Sequence, residues 1–104
     1  MAQHIIVTDY DPRWPAEYEK ESEKIKAILG ENCVAIYHIG STAVPGLAAK
    51  PIIDIAVAVH DVNDIMPYIE ELKQHRILFH TEAVAGQVFF VMEDGDIRTH
   101  HIHI

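Results

Sequence analysis

The stretch that decides the fold is residues 38–55, which read HIGSTAVPGLAAKPIIDI. The residues that lead into it, 33–39, are apolar and partly β-branched, as is typical of a strand. They run directly into residues 40–46, which are rich in turn formers. Pro51 closes this loop, and the mainly apolar residues 52–60 predict a second strand. We therefore expect a strand–loop–strand unit near the centre of the chain.

A helix is predicted ahead of this unit. Asp11 is the expected N-cap, with Pro12 in the first helical turn. Apolar residues then recur at helical spacing opposite a charged face, and Gly30 ends the pattern. An extended arm or short strand at residues 5–7 precedes the helix.

A second helix is predicted after the central unit. Pro67 is compatible with a helix only in its first turn, which favours Asn63 or Asp64 over Asp61 as the cap. Beyond this helix the pattern changes to that of strands. Three strands are expected, at residues 76–80, 87–92 and 97–104.

The order of these elements predicts the fold class. The Asp94-Gly95 pair is a turn signal that joins the last two strands as a hairpin. Helix, strand, strand, helix and further strands predict an α+β fold, with a mixed or antiparallel sheet backed by two helices. No repeat or linker divides the sequence, so residues 1–104 are expected to form one domain.

Composition narrows the functional classes. The net charge is -8, with only eight Lys and Arg residues, which argues against a nucleic-acid-binding surface but leaves room for a small anionic ligand. The longest apolar stretch is interrupted by Asp54 and is too short to span a membrane. Cys33 is the single cysteine, so no internal disulfide can form. We expect a cytoplasmic protein without a membrane partner.

The central loop contains residues suited to binding phosphate. Gly40 permits close approach of the backbone to a ligand, and the hydroxyls of Ser41 and Thr42 can donate hydrogen bonds to phosphate oxygens. Lys50 is a further candidate contact for phosphate. The alternative is a plain turn that uses Gly and Ser for their geometry, with Lys50 either solvated or paired with Asp54.

Asp54 is the main candidate for catalysis or metal binding. It interrupts a strand that otherwise reads as buried, and an ionised carboxylate there is costly unless it is paired, hydrogen-bonded or bound to a metal. A metal ligand and a structural partner of Lys50 or of a loop amide are equally compatible with this position.

Residues 11–15, residues 38–55 and residues 98–103 form three blocks that carry a common resemblance. Together these blocks resemble the GrpB family, whose members are similar to nucleotidyltransferases. The resemblance implies that Gly40 and Ser41 hold the phosphates of a nucleoside triphosphate. It also implies that carboxylates at positions 54 and 56 bind divalent metal ions, Mg²⁺ or Mn²⁺, while a nucleotidyl group passes to an unknown acceptor.

One of these two carboxylates is absent, because position 56 is an alanine. His101 and His103 share one face of the last predicted strand, and the resemblance places a further metal ligand on a late strand. A site of Asp54, His101 and His103 would be rich in nitrogen and would suit Zn²⁺ or Ni²⁺. The alternative for the two histidines is the solvated face of a terminal strand. The alternative for the whole protein is a catalytically inactive module that binds nucleotide and metal and has a regulatory role.

Two further expectations concern assembly and length. Family members continue past the last strand into additional helices, so the resemblance implies a domain shortened at its C-terminus. An uncovered sheet and an exposed final strand would favour self-association, and a homodimer is expected.

Overall fold

The computed structural model describes residues 7–80, 88–95 and 97–104 of the chain. Most of the predicted N-terminal arm at residues 5–7 lies outside the described residues. The described part contains two α-helices, α1 and α2, and five strands, β1 to β5. Their bounds are Trp14–Leu29 (α1), Cys33–Ile39 (β1), Ile53–Val59 (β2), Ile69–Gln74 (α2), Leu78–Phe79 (β3), Phe89–Asp94 (β4) and Ile97–His103 (β5). Short 3₁₀ helices occupy Gly30–Asn32, Ser41–Ala43 and Val62–Tyr68.

The five strands form a single mixed sheet in the order β1-β2-β5-β4-β3. β2 and β5 pair in parallel, and the other neighbouring pairs are antiparallel. The chain therefore crosses from β2 through α2 and the β3–β4 region before β5 inserts beside β2. The α+β fold with a mixed sheet and two helices is confirmed.

The two faces of the sheet differ in burial because side chains alternate along each strand. On β2, Ile53, Ile55 and Val57 are buried and belong to the hydrophobic core. This core also contains Trp14, Ile25, Ile28 and Leu29 of α1 and Leu72 of α2. We call the face that carries Ile55 the helix face of the sheet. The opposite face, which carries Asp54 and Ala56, is called the open face.

The first helix begins differently from the prediction. Its N-cap is Arg13, whose side chain forms no cap hydrogen bond, and Pro15 rather than Pro12 lies in the first turn. Asp11 instead accepts hydrogen bonds from the backbone N–H and the guanidinium of Arg13, the shortest at 2.8 Å. The prediction was wrong because this local pair engages the Asp11 carboxylate ahead of the helix. The end at Gly30 is confirmed, with a φ of 57°.

The second helix also begins differently from the prediction, because its N-cap is Tyr68, whose side chain forms no cap hydrogen bond. Asp61 accepts a hydrogen bond from the backbone N–H of Asn63 at 2.9 Å and begins the 3₁₀ helix Val62–Tyr68. Pro67 lies near the end of this segment, just before α2 begins at Ile69. A 3₁₀ turn thus accommodates the proline outside the α-helical hydrogen-bond ladder, and the expectation of Asn63 or Asp64 as the cap was wrong.

The C-terminal hairpin follows the Asp-Gly signal, since β4 and β5 pair on either side of Gly95, which has a φ of 64°. β3 is shorter than predicted. Arg76 adopts a φ of 65°, and the N–H of Ile77 donates to the carbonyl of Leu72, so these residues close α2 instead of extending the strand. Residue 87, the predicted start of β4, lies outside the described residues. No described helix is long and apolar enough to cross a membrane.

Candidate functional site

Cross-strand pairing brings Asp54 next to histidines of β5 on the open face. Asp54 of β2 pairs with Ile39 of β1 on one side and with His101 of β5 on the other. Its Oδ1 lies 3.5 Å from Nδ1 of His101 and 3.9 Å from Nε2 of His103. Asp54 and His101 are each about one-quarter to one-third exposed, at 30% and 26% of the side chain. The structure therefore groups the three residues that the sequence singled out as metal ligands.

Gly40 lies directly against Asp54. A Cβ atom at position 40 would stand 2.7 Å from Oδ2 of Asp54, and Gly40 has a φ of 75°. Both the contact and the backbone conformation require a residue without a side chain. The loop backbone thus lies on the carboxylate from the β1 side, while the histidines approach it from the β5 side.

The start of the loop is anchored on the helix face. Thr42 is buried, and its hydroxyl lies 2.9 Å from Nε2 of His38, whose ring stacks on Tyr18 of α1 with centroids 4.8 Å apart. Burial lowers the pKa of His38 below its ordinary value, and the charge of Asp54 opposes this shift. Thr42 is therefore held by the fold through its hydroxyl, and Ser41 is the exposed hydroxyl of the loop.

The end of the loop is anchored by the segment ahead of α1. Thr8 and Ala49 exchange two backbone hydrogen bonds, of 2.9 and 3.0 Å, and the Thr8 hydroxyl donates to the Ala49 carbonyl at 3.3 Å. This isolated bridge fixes the backbone next to Lys50. Among the described residues, the basic side chains within 4.0 Å of the Asp54 carboxylate are those of the two histidines, so Lys50 is not its partner.

A pocket of about 330 Å³ opens where loop and sheet meet. It contains four of the predicted phosphate-binding and catalytic residues, Ser41, Thr42, Lys50 and Asp54, and it also contains His101. Gly40 borders it through its contact with Asp54, whereas His103 stands outside the lining. The remaining lining residues are Val7, Ala48, Ala49 and Ile52. These four were not identified from the sequence, because small and apolar residues carry no chemical signal.

The metal-binding chemistry of this group is limited by Ala56. Ala56 faces the same side as Asp54, where a second carboxylate would be needed to bind two ions. Among the residues described, no set of three or more His, Cys, Asp or Glu side chains is already arranged to hold a metal. Within the described part of the chain, Nε2 of His101 is buried without a hydrogen-bond partner, and Nδ1 faces Asp54. As ligand types, one carboxylate and two imidazoles suit a single divalent ion such as zinc or nickel better than a pair of magnesium ions, although the three side chains are not already arranged around one position.

Two aromatic residues flank this group on the open face, and the sequence pattern alone did not single them out. Phe89 of β4 contacts both histidines, with ring centroids 5.3 Å from His101 and 5.1 Å from His103. Tyr37 of β1 pairs with Ala56 and is largely exposed. The alternation of β1 places Tyr37 on the same face as Ile39, but only the strand order shows that this face carries Asp54.

This combination defines an α+β domain with a glycine–serine loop set on a sheet carboxylate, and comparisons with known proteins identify its family. The family model described as GrpB protein matches residues 4–104. The chain belongs to the GrpB family.

Relatives share both the sequence and the fold. The chain is 48% identical over 109 residues to UPF0157 protein SCO7215 of Streptomyces coelicolor, with 99% of this chain and 53% of that protein covered. It is 40% identical to the solved structure titled conserved protein GrpB from Enterococcus faecalis, with a TM-score of 0.90 over 95% of this chain and 60% of that one. A dephospho-CoA kinase of Mycolicibacterium paratuberculosis is 35% identical over 60% of this chain, but only 16% of that enzyme is covered. The chain thus spans less than two thirds of the length of these relatives.

Proposed function

We propose that this domain binds a nucleoside triphosphate, or a similar small anionic ligand, together with a divalent metal ion at the loop of Gly40 and Asp54. The observation that supports the proposal is the shared pocket, which combines the Ser41 hydroxyl, the Lys50 ammonium, the Asp54 carboxylate and the His101 imidazole. Cationic and hydroxyl groups at one end suit phosphate oxygens, and a carboxylate with imidazole at the other suits a metal ion. A bound divalent ion would supply neutralisation of phosphate charge.

Each residue has a defined part in this proposal. Ser41 donates a hydrogen bond to a phosphate oxygen, and Lys50 pairs with the phosphate charge. Asp54 holds the metal ion together with His101 and His103. Because Gly40 has no side chain, the loop backbone lies directly against Asp54. In the proposal, the phosphate group and the metal ion therefore bind next to each other. The Thr42–His38 hydrogen bond and the Thr8–Ala49 bridge fix the two ends of the loop before the ligand arrives, which lowers the entropic cost of binding.

A second candidate function is transfer of a nucleotidyl group to an unknown acceptor. Transfer joins an acceptor oxygen to the α-phosphorus of the nucleotide and releases pyrophosphate. The two histidines beside Asp54 favour this candidate, because they offer ligands in place of the carboxylate that Ala56 lacks. Ala56 itself favours the binding module, since the charge of a second carboxylate is missing and imidazole does not replace it.

The test is a thermal-shift and calorimetric titration of the four nucleoside triphosphates, each with Mg²⁺, Mn²⁺, Zn²⁺ or Ni²⁺. A ligand at 100 times its dissociation constant stabilises the folded state by about 2.7 kcal/mol. We expect a nucleotide shift that depends on the metal and that Asp54→Asn abolishes. Asparagine keeps the size of the side chain against Gly40 and removes its charge.

Asp64→Asn is the matched control, because Asp64 is an exposed carboxylate outside the pocket, and it should keep the full shift. Absence of a metal-dependent shift with every nucleotide would reject the proposal. Pyrophosphate assays on the same samples separate the two candidates: binding without release supports the regulatory module, and release that requires Asp54 supports transfer.

A further inference from the structure

The open face carries a second feature in line with the pocket. Two rows of paired residues run across the strands. The first row contains Ile39, Asp54, His101 and Val91, and the second contains Tyr37, Ala56, His103 and Phe89. The second row thus places its smallest side chain, Ala56, between a tyrosine and a histidine. The two rows are separated by two residues along β2, roughly 6.6 Å.

Tyr37 and His103 flank Ala56 on the two neighbouring strands. Tyr37 and His103 lie two strand spacings apart, about 9.6 Å between backbones. A flat ring that contacts an aromatic side chain on each side needs about 7 to 8 Å, because carbon atoms in contact are about 3.5 to 4.0 Å apart. Tyr37 is 56% exposed and the His103 side chain 44% exposed, so both walls are accessible. Phe89 supports His103 from behind, with ring centroids 5.1 Å apart.

We propose that Tyr37, Ala56 and His103 form a base-binding slot, in which the nucleobase of the bound nucleotide lies over Ala56 between the two aromatic side chains. The inference rests on the proposed function, because the loop and Asp54 must hold the phosphates and metal. The ribose then spans the distance between the two rows. Aromatic side chains stack on the flat face of a nucleobase, and every base has such a face. The slot therefore recognises a planar ring and does not distinguish one base from another.

This slot gives Ala56 a role that its chemistry alone does not suggest. A carboxylate at this position would project into the space that the ring needs and would repel its π-electrons. Alanine removes a metal ligand and at the same time opens the floor of the slot. The same substitution therefore weakens a two-metal site and creates a surface for the ligand's base.

The experiment compares binding of the four nucleoside triphosphates with binding of inorganic triphosphate, which has no base. Both are measured by calorimetry, once with Mn²⁺ and once with Zn²⁺. The wild-type chain should bind at least one nucleotide about 10-fold more tightly than triphosphate, the size of one good stacking contact. Ala56→Leu fills the slot and should reduce nucleotide affinity to that of triphosphate while leaving triphosphate affinity unchanged.

Ala58→Leu is the matched control, since Ala58 lies two residues further along β2 on the same face and is exposed. It should alter neither affinity. Should Ala56→Leu fail to fold, Tyr37→Ala replaces it, because Tyr37 is exposed, and Tyr37→Phe should retain the nucleotide preference. Equal wild-type affinity for nucleotides and triphosphate overturns the slot and leaves the phosphate site intact. Equal loss of both ligands in Ala56→Leu also overturns it, and no binding of any of these ligands overturns the proposed function as well.

Discussion

The two faces of the sheet use neighbouring histidines in opposite ways. His100 points to the helix face, where it is buried beneath α1, and His101 points to the open face, where it lies 3.5 Å from Asp54. The same contrast holds on β2, where Ile55 is fully buried and Asp54 is partly exposed. A shift of one residue in register would exchange these environments. Core packing on one face therefore fixes the geometry of the polar group on the other.

The largest effect is expected at the point where the loop touches the open face. Gly40→Ala introduces a Cβ atom 2.7 Å from Oδ2 of Asp54 at a φ of 75°. At this φ, any residue with a side chain destabilises the fold by about 1 to 2 kcal/mol. The contact with Asp54 either adds to this destabilisation or displaces the Asp54 side chain. We expect a loss of about 3 kcal/mol in the free energy of unfolding by urea denaturation, with loss of metal-dependent nucleotide binding.

Gly46→Ala separates the two causes. Gly46 has a φ of 82°, and, its two chain neighbours aside, no atom of the described residues lies within 4 Å of an added Cβ. It should therefore show only the backbone cost and should retain ligand binding. If the two variants are equally stable and both bind nucleotide, the contact between Gly40 and Asp54 does not organise the open face.

The features that the sequence predicts correctly are local, and the features that it misses depend on long-range pairing. Local patterns predicted β1, β2, the end of α1 at Gly30 and the Asp-Gly hairpin, because each depends on residues a few positions apart. The groupings of Tyr37 with Ala56 and of Thr8 with Ala49 depend on strand order and on long-range pairing, which periodicity does not encode. The parallel neighbours β2 and β5 are what bring His101 to Asp54.

The errors of the sequence prediction are also local. The predicted N-caps of the two helices were wrong because nearby residues form a different local structure there. Asp11 is engaged by Arg13, and the segment that begins at Asp61 forms a 3₁₀ turn around Pro67 before the α-helix starts. The candidate site residues Ser41, Lys50, Asp54 and His101 were all identified in advance, since charged and hydroxyl side chains beside a glycine carry a chemical signal that small apolar lining residues lack.

A smaller effect is expected on the helix face, where acid should destabilise the fold through His100. The Thr99 hydroxyl donates to the carbonyl of Met92, so its oxygen accepts from Nδ1–H of His100 at 2.9 Å. The buried Nε2 of His100 is then an acceptor without a partner among the residues that the structure describes. Burial lowers the pKa of His100. The charges of Glu21 and Glu17 oppose this shift, whereas those of Lys20 and Lys24 add to it.

The sign follows from proton binding. The unfolded chain binds a proton to this histidine near pH 6.5, whereas the folded chain resists protonation until lower pH. The stabilisation is therefore complete above about pH 6.5 and is lost as the pH falls below it toward the lowered folded pKa. Urea titrations from pH 8 to 5 should show this decline, and His100→Gln should reduce it. His75→Gln, at an exposed histidine, should leave the slope unchanged, and an unaltered slope in His100→Gln would contradict the assignment.

The smallest effect concerns the edge of the open face, where we expect weak self-association. In the described sheet β1 has a neighbour on one side only, and it exposes Val34, which is 55% accessible, together with Tyr37. An edge strand with exposed apolar residues presents unpaired backbone groups to a second copy.

Light scattering at micromolar concentration should therefore detect a dimer. Val34→Lys should shift it to monomer, because a lysine on an edge strand opposes pairing. Ile97→Lys, at an exposed position on the interior strand β5, should not. A wild-type monomer at this concentration would contradict the expected self-association.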